Sequence, residues 1–332
     1  MANPARALAK QFMRRNPMIL LGVGIVVSVF DFLFLYMAAA KESVLYIDKG
    51  VGLLDNLGLL STIIGNAISL YVVRKYYDYV CAIKVSKAVV NIKVIKPSLS
   101  RLRAMIGMQG RAVLIMLIGV VLGAYAWTSN VVSHVRYDPQ IRWGHKVFDS
   151  PDHPLSFTAS RLHNLYTWLL ILPFVAHVMI VTTFQLRRMI AAACRKKGLR
   201  YDLLNPDRRG GFGFIDNAHI AFNFVVALIY VQVTMHIVTF ERMNPDHFVL
   251  YIFLTVALIG FNWLFLGDIS VKIKALRFDS LNELKDRIFD HKLNFAVLKY
   301  CMEQKDSAFS LESIAIKVAG IIIPPLAKLL LP

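Results

Sequence analysis

The sequence predicts an all-α fold, a polytopic membrane bundle of about six transmembrane helices with both termini in the cytosol. Three observations carry this prediction. Of the 332 residues, 57% are hydrophobic and only 18% are charged, and the mean hydropathy is +0.54. The apolar residues are gathered into long stretches, and the basic residues fall mainly in alternate connecting segments. This composition argues against an ordinary water-soluble globular protein.

Six apolar stretches are long enough to cross a hydrocarbon core of about 30 Å, which takes roughly 17 to 25 helical residues. They are residues 18–40, 57–73, 112–128, 165–186, 218–240 and 248–267. The first follows four basic residues and ends in three alanines, as a secretory signal does. It is longer than a signal core and carries Asp31 near its middle, so we expect a retained first helix.

The distribution of Lys and Arg predicts the orientation of these helices. If the N-terminus is inside, the cytosolic segments hold 31 of the 38 basic residues and the external segments hold 7. Because basic residues resist translocation, this arrangement accounts for the net charge of +17. We therefore expect the cytoplasmic (inner) membrane of a bacterium as the location, and no nucleic-acid partner. All three cysteines fall on the predicted reducing side, so no disulfide is expected.

We divide the chain into a transmembrane domain at residues 1–270 and a cytosolic amphipathic tail at residues 271–332. The domain includes an external loop at residues 129–161 and a basic cytosolic helix at residues 74–111. In the basic helix, cationic side chains alternate with Val, Ile and Leu, which predicts an interfacial helix, broken near Pro97, that contacts the headgroups of anionic lipids. Specific capture of one acidic lipid is the alternative. The cations are Lys84, Lys87, Lys93, Lys96, Arg101 and Arg103.

The tail has the pattern of an amphipathic helix. Ser280 and Glu283 have the spacing of a capping box, which predicts a helix that begins at Ser280. Its apolar stripe requires a cover, which could be the protein's own helices, a second copy or a soluble cytosolic partner. Residues 311–332 are apolar, but the Pro324-Pro325 pair ends any helix before it could span the membrane.

Polar side chains inside the predicted spans are the first candidates for a functional site, because each needs a partner or a hydrated lining in hydrocarbon. They are Asp31, Asn66, His177, Asn223, Gln232, His236 and Asn262. One interpretation is that they line a polar path, with Asp31 and His177 as its main members. The other is that they form interhelical hydrogen bonds that hold the bundle together.

No cofactor is predicted, and two cofactors are kept as minor alternatives. A b-type haem needs two imidazoles at one depth, and only His163 and His236 come within about 7 Å of one level at 1.5 Å per residue. His177 has no level partner, since His219 lies far below it. A divalent metal in the external loop is the second alternative, although the spacing of its ligands is not diagnostic. The weak candidate ligands are His145, Asp149, Asp152 and His153.

The most distinctive local string lies just before the fifth span and contains Asn205, Pro206, Asp207, Gly210 and Gly211. It predicts a turn started by Asn-Pro, followed by glycines that allow unusual backbone angles. The string resembles one in a set of uncharacterised bacterial polytopic inner-membrane proteins, in which His-Pro-Asp and two variable residues precede Gly-Gly. The likeness covers about residues 161–267, departs at Asn205, and implies a bacterial inner-membrane protein without a defined activity.

The leading functional prediction is a channel-like or pore-forming membrane protein, homo-oligomeric, that conducts ions or acts as a membrane effector. The alternative is a non-conducting membrane subunit that anchors or senses for a soluble partner, and a haem-carrying redox subunit is a minor alternative. An enzyme is not expected, because no nucleophile, base and orienting group can be placed together from the sequence.

Overall fold

The computed structural model of the protein describes residues 17–48, 50–106, 146–147, 152–240, 259–260, 264–290 and 299. Within these residues the fold is helical apart from one parallel pairing of two-residue strands, β1 (Gly50–Val51) and β2 (Lys146–Val147). The seven α-helices are α1 (Pro17–Lys41), α2 (Leu57–Cys81), α3 (Ile92–Ile106), α4 (Pro154–Leu165), α5 (Leu172–Arg195), α6 (Gly213–Phe240) and α7 (Ser270–Asp290).

Three helical segments of the described chain are long and apolar enough to cross a membrane, which indicates a membrane protein. They are Pro17–Lys41, Leu57–Val85 and Gly213–Gln232, and they coincide with the first, second and fifth predicted spans. The fourth predicted span, residues 165–186, is helical throughout. The third predicted span and most of the sixth, including Asn262, lie outside the described residues.

Helix α2 is the centre of the described bundle and packs against α1, α5 and α6. On the α1 side, Gly24 lies directly against the backbone carbonyl of Ala67. Helix α6 runs antiparallel to α2, because the backbone N–H of Gly58 donates to Thr239 at one end of the pair. Near the other end, the rings of Tyr76 and Phe222 lie 6.1 Å apart. These contacts fix the relative depth of residues on the two helices.

Helices α4 and α5 form one continuous helical segment, joined by a π-helical turn at Tyr166–Ile171. Its N-terminus is at Pro154, because proline is favoured in the first turn of a helix. The last eight residues of the predicted external loop, 154–161, are thus helical, and their external position stays a prediction. The π turn also breaks the repeat of 3.6 residues per turn between His163 and His177, so the spacing of these two histidines does not place them on one helix face.

Helix α3 corrects the prediction for the basic segment. The helical structure is interrupted between Ser86 and Asn91, and α3 then passes through Pro97 without interruption. The predicted interruption of the helix near Pro97 is therefore wrong. Helix α3 also packs against α5 and buries an apolar stripe there, so this stripe is covered by protein and not by lipid. The buried side chains of the stripe are Ile95, Leu99, Leu102 and Ile106.

Helix α7 corrects the prediction for the tail. A π-helical turn at Leu264–Ile269 leads into α7, which passes through Ser280 without interruption, so the predicted helix start at Ser280 is wrong. The Ser280 hydroxyl donates instead to the carbonyl of Tyr201 at 2.9 Å. The other half of the supposed capping box, Glu283, pairs with Arg200 at 2.7 Å. Both groups therefore attach α7 to the loop before α6.

Candidate functional site

The most unusual polar contact of the described structure joins Asp31 of α1 to His163 of α4. The Nδ1 atom of His163 lies 2.6 Å from Oδ2 of Asp31, although the residues are 132 positions apart. The His163 side chain is 1% exposed and that of Asp31 is 15% exposed. At this distance one proton lies between the two atoms. The other ring nitrogen, Nε2, is buried and has no hydrogen-bond partner among the described residues.

The surroundings of this pair are mainly apolar. A cluster of buried side chains from α1, α2 and α4 lies toward the end of the bundle where α1 ends and α4 begins. It contains Leu35, Ala39, Leu59, Ile63 and Ala159. Two ionisable residues of the same helical segment flank the pair in sequence, Arg161 and Tyr166, and the Tyr166 hydroxyl interacts electrostatically with Asp31. The pair therefore combines ionisable groups with a setting in which an uncompensated charge is costly.

Glu42 lies at the same end of the bundle, which we call the Glu42 end. Its two carboxylate oxygens accept the backbone N–H groups of Leu155 and Ser156, each at 2.8 Å, and so cap the N-terminus of α4. Burial alone would raise the pKa of Glu42. The Ser156 hydroxyl and the two backbone N–H groups outweigh it, so the pKa lies below its ordinary value. Glu42 is thus a partly exposed carboxylate at the entrance to the α1–α4 contact.

Several predicted polar residues of the spans contact one another or the backbone. Asn66 donates to the Thr167 hydroxyl at 2.8 Å. The amide of Gln232 packs directly against Gly65. Asn223 and His219 lie one helical turn apart on α6, with 3.3 Å between Nδ2 and Nε2. The first two pairs lie at nearly the same depth, because Gly65 and Asn66 are consecutive on α2. Asn223 and His219 lie about two helical turns nearer to the end of α2 that carries Tyr76.

His177 lies apart from the Asp31–His163 pair. It is buried in α5, close to the backbone of Met105 at the end of α3, and it has no side-chain partner among the described residues. The contact between Asn66 and Thr167 places His163 level with about residue 62 of α2, because α2 and the α4–α5 segment run parallel. The contacts of Gly58 with Thr239 and of Gly65 with Gln232 place the backbone of His236 at about the same level. Its side chain is not among those described.

The loop before α6 is organised by Asp207, whose carboxylate accepts three backbone N–H groups. Oδ1 accepts from Arg209 at 2.8 Å and from Gly211 at 3.1 Å, and Oδ2 accepts from Gly213 at 3.2 Å. The turn begins as the sequence predicts, with the N–H of Arg208 donating to the carbonyl of Asn205. Because its oxygens bind the backbone, the Asp207 carboxylate builds the loop and the N-terminus of α6.

The two glycines of this loop are required by its geometry. Gly210 and Gly211 have φ values of +63° and +86°, a region that favours glycine. A Cβ atom on Gly211 would lie 2.7 Å from the amide nitrogen of Ala88. The carbonyl of Gly211 accepts from the Ser86 hydroxyl at 2.5 Å. The loop is therefore docked against the α2–α3 connection, and we call this side of the bundle the Gly211 end.

Pro206 lies beside an open cavity of about 410 Å³ at the Gly211 end, together with Asp207 and Asn217. Arg209, which also borders the cavity, forms an ion pair with Asp216 of α6. All six predicted lipid-contacting cations, Lys84, Lys87, Lys93, Lys96, Arg101 and Arg103, are exposed on the connection and on α3. Among the weak metal candidates, only Asp152 and His153 fall within the described residues, and no group of three or more suitable ligands occurs in that part of the chain.

Sequence reasoning named Asp31 and His163 separately and missed their contact. The signal that was available is the spacing of polar residues on α4 and in the π turn after it, where Ser156, Ser160, His163 and Thr167 recur every three or four positions. At 100° per residue they fall within about 60° of arc, which predicts one polar helix face.

Comparison of the chain with protein-family models, with curated proteins and with solved structures gave no match. The class of protein therefore rests on the fold and the site: a helical membrane protein with a buried carboxylate–imidazole pair.

Proposed function

We propose that this protein is a channel-like integral membrane protein that conducts protons, and that the Asp31–His163 pair takes up and releases the proton. The observation that carries the proposal is the 2.6 Å contact between the half-buried carboxylate and Nδ1 of the buried imidazole, with Nε2 left without a partner in the described structure. Ionisable residues at intramembrane depth are costly and mark ion paths and proton relays. The sequence predicts a protein that conducts ions without naming the ion, and the proposal specifies that the ion is the proton.

The chemistry of the pair supports this choice. With Nδ1–H donating to the Asp31 carboxylate, Nε2 of His163 is the basic site of the ring. Protonation at Nε2 changes the net charge of the pair from minus one to zero, which favours uptake in an apolar setting. Release of the same proton restores the original state, so the pair completes a transfer cycle without any other reactant. Histidine suits this role because its charge changes near neutral pH.

The other polar groups of the spans support a proton path better than a wide aqueous pore. The Asn66 amide is bonded to Thr167, and the Gln232 amide is packed against Gly65. Groups engaged in this way hold helices together and leave little room for a hydrated ion. A proton needs only hydrogen-bonded groups and water molecules.

We place the protein in the inner membrane of a bacterium as a multi-pass protein with six spans and both termini in the cytosol. The exposed apolar side chains of α1, such as Phe30 and Met37, suit contact with lipid. In this orientation the Glu42 end is external and the Gly211 end is cytosolic. The six exposed cations of the α2–α3 connection and of α3 would then lie beside anionic headgroups.

Proton flux into vesicles that contain only this protein tests the proposal. We expect the wild type to acidify the vesicle interior when a potassium diffusion potential, negative inside, is imposed. Asp31→Asn and His163→Gln should reduce the flux on the order of a hundredfold, the usual scale for loss of a positioned proton-transfer group. Asp55→Asn, which removes an exposed carboxylate at the Glu42 end, is the matched control and should conduct normally. Equal flux in all four proteins, or none in the wild type, would refute the proposal.

A second function is favoured by one specific observation, the common depth of His163 and His236. A carboxylate that holds Nδ1 of a histidine, leaving Nε2 for a metal, is a recurring arrangement around metal-bound imidazoles. The second proposal is therefore a redox subunit that binds b-type haem between α4 and α6 through these two residues.

Absorption spectroscopy separates the two functions. Haem binding predicts that the purified protein is coloured, with a Soret band that is lost in His163→Ala and in His236→Ala. Protein expressed with sufficient haem that remains colourless and still conducts protons would exclude the redox function and leave the proton path.

A further inference from the structure

Helix α4 carries a continuous polar face that connects the Asp31–His163 pair to the Glu42 end. Ser156, Ser160, His163 and Thr167 recur at intervals of four, three and four residues, and all four are buried. Serine and threonine are common where membrane helices pack, so the buried histidine distinguishes this face. Glu42 caps the first residues of this face, and Asn66 donates to its last member, Thr167. We call these four residues the α4 stripe.

Two buried polar atoms, one on the stripe and one on α1, have no hydrogen-bond partner among the residues that the structure describes. One is Nε2 of His163, and the other is the hydroxyl of Ser28 on α1, a residue that is 5% exposed. Ser28 precedes Asp31 by three residues, so the two lie on neighbouring positions of one face of α1. Buried groups of this kind are usually completed by ordered water molecules when protein partners are absent. The unpartnered ring nitrogen of His163 therefore indicates bound water at the stripe.

We infer that the α4 stripe holds a file of water molecules that runs from Glu42 to the Asp31–His163 pair, so that the pair exchanges protons with the Glu42 end. This inference deepens the proposed function and rests on it for its physiological role. A proton enters at the partly exposed Glu42 carboxylate, passes along water molecules held by Ser156 and Ser160, and binds Nε2 of His163. Each transfer between oxygen atoms breaks one O–H bond and forms the next, and the last transfer breaks an O–H bond of water and forms the N–H bond at Nε2, so no other reactant is needed.

The structure also gives the file a direction. Large apolar and aromatic side chains fill most of the described core between the Asn66–Thr167 hydrogen bond and the Gly211 end. Val73, Tyr76, Phe222 and Tyr230 are all buried there. Close packing of such side chains leaves few spaces the size of a water molecule. The file therefore opens on the Glu42 end and stops at the level of Asn66, so it accounts for proton exchange with the Glu42 end only. Conduction also requires a separate step that carries the proton from His163 to the Gly211 end, which this file does not supply.

Cysteine accessibility tests the file without depending on proton flux. Ser160→Cys places a thiol on the stripe, and Ala159→Cys places one at the adjacent, equally buried position that belongs to the apolar cluster. A small, charged thiosulfonate reagent is added to either side of sealed vesicles, and peptide mapping assigns the label so that the native cysteines do not interfere. We expect Cys at 160 to react on the order of tenfold faster from the Glu42 side than from the other side, because a thiolate forms only where water reaches it. Cys at 159 should react slowly from both sides.

Equal labelling of positions 159 and 160, or equal labelling of position 160 from the two sides, would overturn the inference. Ser156→Cys, one turn nearer to Glu42, provides a second reporter if Ser160→Cys does not fold. Proton flux through Ser160→Val and Ala159→Val is measured in parallel, since valine at 160 fills the file and valine at 159 adds bulk outside it. Labelling without wild-type flux would retain the file and reject conduction, whereas flux without labelling would do the reverse.

Discussion

Gly24 of α1 lies directly against the backbone carbonyl of Ala67 in α2, where a Cβ atom on Gly24 would overlap the carbonyl oxygen. Close approach of two helices at a small residue is a main source of packing energy inside membranes. This contact sets the position of α1, and with it the position of Asp31 two turns further along the same helix.

Gly24→Ala should therefore separate α1 from α2. We expect a loss of roughly 1–3 kcal/mol in the free energy of unfolding, as for other overpacked interiors. Gly22→Ala is the matched control, because no atom lies within 4 Å of the Cβ that it adds to the same helix. Thermal unfolding in detergent measures both. Equal melting temperatures for the two variants would contradict the described helix contact.

The loop at the Gly211 end makes a separate prediction. Gly211→Ala introduces a side chain at a φ of +86° and against the amide nitrogen of Ala88. The left-handed backbone alone costs roughly 1–2 kcal/mol for a residue other than glycine. The variant should unfold at a clearly lower temperature than Leu204→Ala, which truncates an exposed side chain of the same loop. Wild-type stability of Gly211→Ala would show that the loop is not docked on the α2–α3 connection.

Acid should weaken the contact between α5 and α7. The Lys272 ammonium and the Arg187 guanidinium, both bonded to Asp268, hold the pKa of this carboxyl below its usual range. A lowered pKa means that the carboxylate stabilises the fold above the unfolded pKa of about 4, and that this contribution is lost as the pH falls through the folded value. Because all three groups are partly exposed, Asp268→Asn should cost about 1 kcal/mol at pH near 7 and almost nothing at the lowest pH that the protein tolerates.

Melting temperature as a function of pH measures this effect. Glu283→Gln breaks the ion pair with Arg200, in which both side chains are more than half exposed, and serves as the control with little effect at any pH. If Asp268→Asn lowers the melting temperature by the same amount at every pH, the loss of stability comes from packing and not from charge.

Glu42 should stabilise α4 through its cap. Glu42→Ala leaves the backbone N–H groups of Leu155 and Ser156 without their acceptor, at a cost of roughly 1 kcal/mol, as for the loss of other helix caps. Hydrogen exchange of these two amides gives the direct measurement and should accelerate in the variant. Asp48→Ala, a truncation of another exposed acidic residue at this end, should leave their exchange unchanged.

The sequence predicts those features of the fold that depend on neighbouring residues, and it fails for features that depend on contacts between residues far apart in the chain. Three of the six predicted spans are found as long apolar helices in the described part of the chain. Apolar length alone predicted them, because the ability to cross a membrane is a property of one continuous segment. The break expected near Pro97 was wrong, since burial of Leu99 and Leu102 against α5 outweighs the hydrogen bond that proline cannot donate. The helix start expected at Ser280 was wrong for a similar reason, because its hydroxyl binds Tyr201, which is 79 positions away.

The candidate site was predictable in its members but not in their arrangement. Asp31 is a candidate because it is an acidic residue near the middle of the first apolar stretch. The regular spacing of polar residues along α4 is also visible in the sequence. Their contact joins residues that are 132 positions apart, and no local pattern carries such information. The pore-lining role of the remaining polar residues, the oligomeric state and the cytosolic partner stay predictions.

The protonation state of His163 tests the central claim most directly. Nitrogen NMR of protein with labelled histidine distinguishes the two neutral tautomers and the imidazolium. We predict a neutral ring with the proton on Nδ1, beside Asp31, and a signal that changes in Asp31→Asn. A His163 signal with the proton on Nε2, or one that is identical in the wild type and in Asp31→Asn, would contradict the account.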